Sequence, residues 1–112
     1  MVTGQTFQAI PIHSMFLFQM ADARLDRCGD RLVIMPEIIP QQEIFRNPGI
    51  KRYNEILEDI SKVRSNCLLV KVFDDFLRNM ESLYLDKGHP NEAGYELLNA
   101  RILEALERRT GA

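Results

Sequence analysis

The chain has too few of several residue types to support the chemistries that depend on them. Its 112 residues include two cysteines, Cys28 and Cys67, without C-x-x-C spacing, and two histidines, His13 and His89, without an H-E-x-x-H arrangement. A zinc centre needs three or four such ligands, so no metal site is expected, and two cysteines make no disulfide framework. Cys28 and Cys67 read as small, buried or half-buried side chains; a bridge between them would require Cα atoms within about 7 Å. The six glycines form neither G-x-G-x-x-G nor a P-loop, which removes the usual nucleotide-binding turns, and no cofactor is implied.

An excess of positive charge is also missing. Fourteen Lys and Arg stand against sixteen Asp and Glu, a net charge of −2, so no broad basic face exists to neutralise phosphates and no nucleic-acid partner is expected. The purest apolar stretches, residues 15–18 and 32–35, are too short to span a bilayer, and no charged leader precedes a long apolar run. A soluble protein with no membrane span and no visible address is expected, cytoplasmic by default. With 46% hydrophobic and 27% charged residues, the composition is that of one small globular domain over residues 1–112.

What is present alternates between helical and strand-like periods. Ser14 is placed to cap a helix in which Phe18, Ala21, Leu25 and Cys28 share a face, and Gly29 sits where a left-handed C-cap belongs. Residues 31–35 form a short apolar run closed by Pro36, the profile of a strand covered on both faces. Asn47 and Pro48 supply a cap and a first-turn proline for a helix with Ile50, Tyr53, Leu57, Ile60 and Val63 on one side. A second buried strand follows over residues 68–73, with Asp74 and Asp75 just past its carboxyl end. Asn91 caps a closing helix whose Tyr95, Leu98, Ile102, Ala105 and Leu106 face one way, with Glu92 in its first turn and Arg108 and Arg109 in its last. A further strand over residues 6–12 is weakened by Pro11. Strand, helix, strand, helix in this order predicts an α/β fold with a short parallel sheet.

One stretch goes beyond scaffolding: Leu-Asp-Lys-Gly-His-Pro-Asn-Glu-Ala-Gly-Tyr over residues 85–95. A histidine acting as general base needs one ring nitrogen free and the other held by an acceptor, and Asp86, three residues before His89, is placed to hold it. The loop lies between the last strand and the last helix, where open α/β sheets place their sites. Asp74, Asp75, Asp86 and His89 would fall near the same sheet edge, although acidic residues after a strand are more often solvated or capping.

Asp86, His89, Pro90, Asn91, Gly94 and Tyr95, with an apolar helix behind them, resemble the last block of the SGNH (GDSL-type) hydrolases, esterases and lipases of small α/β/α fold. The resemblance implies a three-layer α/β/α arrangement, a partial SGNH or flavodoxin-like fold. The strands at residues 32–35 and 68–73 would correspond to the fourth and fifth of that family's sheet, and the chain to its C-terminal half. It implies His89 as general base, Asp86 as its orienting partner, and a small carboxylic or acetyl ester as substrate. The family's Gly-Asp-Ser nucleophile turn has no counterpart here: Gly29-Asp30 is followed by Arg31 and leads into a strand. Its Gly-x-Asn oxyanion block has only a distant echo in Gly4-Gln5-Thr6. Ser14, Ser61, Ser65 and Ser82 are the serines, and none stands in a nucleophile's sequence context. The alternative is a non-catalytic interaction or oligomerisation domain in which the same loop serves as a turn and helix cap. On either reading a short sheet leaves an edge for a second copy or a partner chain.

Overall fold

The structure, a computed structural model, describes residues 12–111, with side chains from Gln19 onward. The suggested strand over residues 6–12 and the Gly4-Gln5-Thr6 echo lie outside the described residues, except that Ile12 opens a helix. That helix, α1 (Ile12–Asp26), contains Ser14 within its span instead of beginning at it. The chain leaves α1 through Gly29 at a φ of 62°, the left-handed exit its position predicts.

Strand β1 (Val33–Pro36), helix α2 (Asn47–Val63) and strand β2 (Cys67–Val70) form a β-α-β unit, and β1 pairs with β2 in parallel with Val33 opposite Cys67 and Pro36 opposite Val70. The short helices α3 (Phe73–Arg78) and α4 (Met80–Leu83) then lead to the long closing helix α5 (Glu92–Thr110). The expected α/β class with a short parallel sheet holds: the sheet has two strands among the described residues.

Strand alternation divides the core in two. Val33, Met35, Cys67 and Leu69 join Leu25 of α1 and Ile56, Leu57 and Ile60 of α2. Leu68 and Val70 turn the other way and join Phe76, Leu83, Tyr84, Leu98, Ile102 and Ala105. Against expectation, β1 is not covered on both faces, because α5 lies over β2 and leaves Ile34 39% exposed. Arg64, at the end of α2, ties α1 down through Asp22 at 2.8 Å and Asp26 at 2.5 Å. Cys28 and Cys67 are free thiols, and burial pushes the Cys67 thiol pKa up.

Three boundaries differ from the sequence pattern for identifiable reasons. The second strand stops at Val70 because the next amides are taken elsewhere: one Glu37 carboxylate oxygen accepts Val72 N–H at 2.9 Å and Phe73 N–H at 3.0 Å, and α3 begins there. Asp74 and Asp75 therefore sit in the first turn of α3, and Asp75 is held by Arg101 at 2.8 Å and Arg78 at 3.0 Å. Asn47 is the first residue of α2 and not its side-chain cap. On the helix faces, Val63 and Tyr95 are exposed instead of packed. Gly49, in the first turn of α2, has open space where a Cβ would stand. Gly49→Ala is expected to stabilise the fold by about 0.5–1 kcal/mol by favouring the helix, read as a raised urea midpoint with unchanged slope.

Candidate functional site

The loop between α4 and α5 is a tight, two-stranded excursion. Leu85 N–H donates to His89 O at 2.8 Å, Asn91 N–H donates to Leu83 O at 2.8 Å, and Tyr84 and Pro90 form an antiparallel bridge between them. Asn91 then starts α5 as predicted, its side-chain oxygen accepting Gly94 N–H at 2.9 Å while its amide donates to Ser82 O at 2.9 Å. Tyr84 anchors the base of the loop. Its ring meets Phe76 edge-on, with centroids 5.8 Å apart, and its hydroxyl donates to Pro40 O. Burial pushes its pKa up to about 12, which keeps it a neutral donor.

Asp86 lies at the first bend, where one carboxylate oxygen accepts Gly88 N–H at 3.0 Å and His89 N–H at 2.9 Å. The same carboxylate meets His89 Nδ1 with both oxygens, at 2.9 and 3.0 Å. An ionised carboxylate is only an acceptor, so Nδ1 carries the proton, and in the neutral imidazole Nε2 presents its lone pair away from Asp86. The imidazole is 75% exposed, and Nε2 has no hydrogen-bond partner among the described residues. So open an ion pair adds little to stability; its consequence is orientation.

The Asp86 carboxyl pKa is lowered, first by the Gly88 amide and then by His89 and its amide. A lowered folded pKa means that the contribution to loop stability is complete above the unfolded value near 3.9 and is lost as pH falls through the folded one. In a carbon-detected NMR titration, Asp86 is expected to protonate at lower pH than a free aspartate, with the amide shifts of Gly88 and His89 moving at the same midpoint. An Asp86 midpoint at or above the free value would contradict this geometry.

The serines are elsewhere. Ser61 Oγ donates to Glu58 O at 2.7 Å within α2, Ser82 Oγ donates to Asn79 O at 3.2 Å, and Ser65 lies in the turn entering the amino end of β2. Ser14 is in α1, its side chain outside the description. Among the described residues no serine hydroxyl hydrogen-bonds His89. The acidic residues do not gather either: Asp75 is engaged by Arg101 and Arg78, and no three His, Cys, Asp or Glu come together among the described residues.

Three residues beside the loop, Asn47, Asn54 and Gln41, have a role that sequence reasoning did not give them, Asn47 having been expected only as a helix cap. Asn54 and Asn47 are buried on α2 two turns apart, therefore on one face, and each binds the backbone of the segment after β1 as a neighbouring strand would. Asn54 accepts Ile38 N–H at 2.8 Å and donates to Ile38 O at 2.9 Å; Asn47 accepts Gln41 N–H at 2.8 Å and donates to Gln41 O at 3.2 Å. Gln42 N–H donates to Lys87 O at 2.8 Å, and the Gln41 side chain lies against Gly88, where an added Cβ would stand 2.9 Å from its Nε2. The signal available in the sequence was two asparagines seven residues apart on one face of the helix.

The described helices include none long and apolar enough to cross a membrane. No family model, curated protein or solved structure matches this chain.

Proposed function

We propose that this chain supplies the His-Asp half of an SGNH-type ester hydrolase, in a partial three-layer α/β/α fold with a short parallel sheet. The observation that carries the reading is the two-oxygen grip of Asp86 on His89 Nδ1, which leaves Nε2 as an exposed base. In the reaction, Nε2 takes the proton of a serine hydroxyl as its oxygen bonds to the ester carbonyl carbon and the carbonyl electron pair moves to oxygen. On collapse of this adduct the bond to the alcohol breaks, and His89 returns the proton to the departing oxygen. Water attacks the acyl-enzyme by the same route, with Asp86 holding the imidazolium at each stage. The serine comes from a second polypeptide seated beside the uncovered β1.

Tagged chain recovered from the cells that make it, with its bound partners, tests this reading. Fluorophosphonate is expected to label a serine of a co-purifying chain and to leave Ser61, Ser65 and Ser82 unlabelled. Aryl acetate hydrolysis by the assembly should fall at least a hundredfold with His89→Ala. Unchanged hydrolysis in the His89→Ala assembly would sink the proposal.

A second reading is favoured by the exposure of Leu32 just before β1, of Ile34 on it, and of Ile44 and Phe45 in the turn before α2. Here the chain is a non-catalytic interaction domain, and Asp86 serves only to close the turn through the Gly88 and His89 amides. It expects His89→Ala to change association and no activity.

A further inference from the structure

The edge of β1 that faces away from β2 has no neighbouring strand among the described residues, and the pairing on its other side fixes what it offers. Val33 N–H donates to Asn66 O at 2.8 Å and Glu37 N–H donates to Val70 O at 2.9 Å, so Val33, Met35 and Glu37 direct their backbone groups to β2. The N–H and C=O of Ile34 therefore point to the open edge. Pro36 adds a C=O there and no N–H, which ends the edge. Apolar surface flanks this edge on both faces. Leu32 and Ile34 stand exposed on one, and on the other a pocket of about 350 Å³ is lined by Met20, Ala21, Arg24, Leu25, Met35 and Tyr53. Two methionines, a leucine, an alanine and the Tyr53 ring make its walls; its polar groups are the Arg24 guanidinium and the Tyr53 hydroxyl.

Charge gives the edge a direction. Helix α1 ends a few residues before β1 begins, so Arg24, Arg27 and Arg31 stand towards the amino end of the strand. Within the same stretch Asp22 and Asp26 are claimed by Arg64, which leaves Asp30 as the one carboxylate beside these arginines. All three arginines are exposed, and none has an ion-pair partner among the described residues. The opposite end of the strand carries the Glu37 carboxylate.

Resting on the reading that a second polypeptide sits beside β1, we infer that this edge receives the carboxyl-terminal segment of that partner, extended and antiparallel to β1, with apolar last residues. One partner residue exchanges both hydrogen bonds with Ile34 and lays its side chain on Ile34 and Leu32. The residue before it stands opposite Met35 and places an apolar side chain in the pocket, because side chains alternate across a strand. The residue after it ends the chain, and its carboxylate meets Arg31 and Arg24. A parallel segment would instead bring an amino end to the arginines. Backbone pairing supplies affinity, while the pocket and the arginines supply selectivity.

The test titrates the peptide acetyl-Gly-Lys-Ser-Leu-Ile-Val, with a free carboxylate, into the full chain under amide-detected NMR. Saturable shifts are expected at Arg31, Leu32, Ile34 and Met35 and at Ala21 and Leu25 of α1. The same peptide ending in a carboxamide should bind about fivefold more weakly. Replacing both exposed arginines, Arg24→Gln with Arg31→Gln, should remove that difference without disturbing the fold, while His89→Ala should leave binding unchanged. A nitroxide on the peptide's amino end should broaden Glu37 and Ile38 and spare Arg31. An absence of saturable shifts along β1, equal binding of carboxylate and carboxamide, or broadening centred on Arg31 would overturn the inference. Self-association of the chain through β1 that excludes the peptide would overturn it as well, since a second copy would then be the occupant. Because the peptide needs no nucleophile, the two ideas fail separately. Peptide binding without His89-dependent hydrolysis leaves the docking edge and removes the hydrolase; His89-dependent hydrolysis without peptide binding does the reverse.

Discussion

Gly94→Ala is expected to destabilise the fold by about 3 kcal/mol, although alanine is the better helix former by about 1 kcal/mol. Gly94 lies in the first turns of α5 against the base of the loop. A Cβ there would stand 2.5 Å from Leu83 O, 2.7 Å from Pro90 Cβ and 3.3 Å from Phe76 Cε2. The first is backbone, the second is fixed by a proline ring, and the third belongs to a fully buried side chain, so none can swing away. Relief requires α5 to lift off the α4 end, which stretches the Asn91 cap and the Tyr84–Pro90 bridge together. Urea denaturation with Gly49→Ala as its counterpart isolates the cause: the same substitution, also in a helix, should raise the midpoint at Gly49 and lower it at Gly94. A Gly94→Ala protein as stable as the parent would show that the helix does not approach the loop this closely.

Removing the side-chain amide of Asn54 is the second large effect. Asn54→Ala takes away both hydrogen bonds that hold Ile38, leaving its N–H and C=O without their partners beside a buried position. Unpaired backbone groups of this kind cost about 1–3 kcal/mol each when water cannot reach them, and the partial exposure of Ile38 lowers that, so about 2 kcal/mol is expected in all. The damage should be local. Hydrogen exchange should quicken at Ile38, Gln41 and Gln42 while β2 and α5 keep their protection. Asn54→Asp keeps the acceptor and loses the donor, and should fall between the two proteins. Uniform loss of protection across the chain would instead mean that Asn54 supports the whole core.

Tyr84 sits where these two effects meet. Its ring belongs to the core that Gly94 approaches, and its hydroxyl binds Pro40 in the segment that Asn54 and Asn47 hold. The α5 packing and the post-β1 segment are thus mechanically joined below the Asp86–His89 loop. A change in either one should reach the imidazole through backbone displacement, without contact.

Much of this was legible in the residues. The α2 and α5 helices, the Asn91 cap, the Gly29 exit and the two parallel strands follow from periodicity and capping chemistry, which depend on neighbours within a few positions. The Asp86–His89 contact is equally local: three residues and a turn bring the carboxylate to Nδ1, and the same turn supplies the two amides that lower its pKa. What the pattern misplaced depends on partners far along the chain. Residues 71–73 look like strand, but the Glu37 carboxylate captures the Val72 and Phe73 amides from 35 and 36 positions away. Asn47 looks like a helix cap, but the backbone of Gln41 claims its side chain. Ile34 looks buried on pattern alone, yet with two strands and α5 over β2 its side of β1 stays open.

The sequence by itself determined α1, α2, α5, the two strands as far as Val70 and the pairing of Asp86 with His89, because each depends on torsional preference, capping and hydrogen bonds across one turn; α3 and α4 it did not show. Only the tertiary structure decided that Gln41 stands against Gly88, that Gly94 must lack a side chain, and that no described serine reaches His89. Those outcomes come from the way α2 and α5 close on the sheet and its loops, and distances across such packing have no period in the chain from which they could be read.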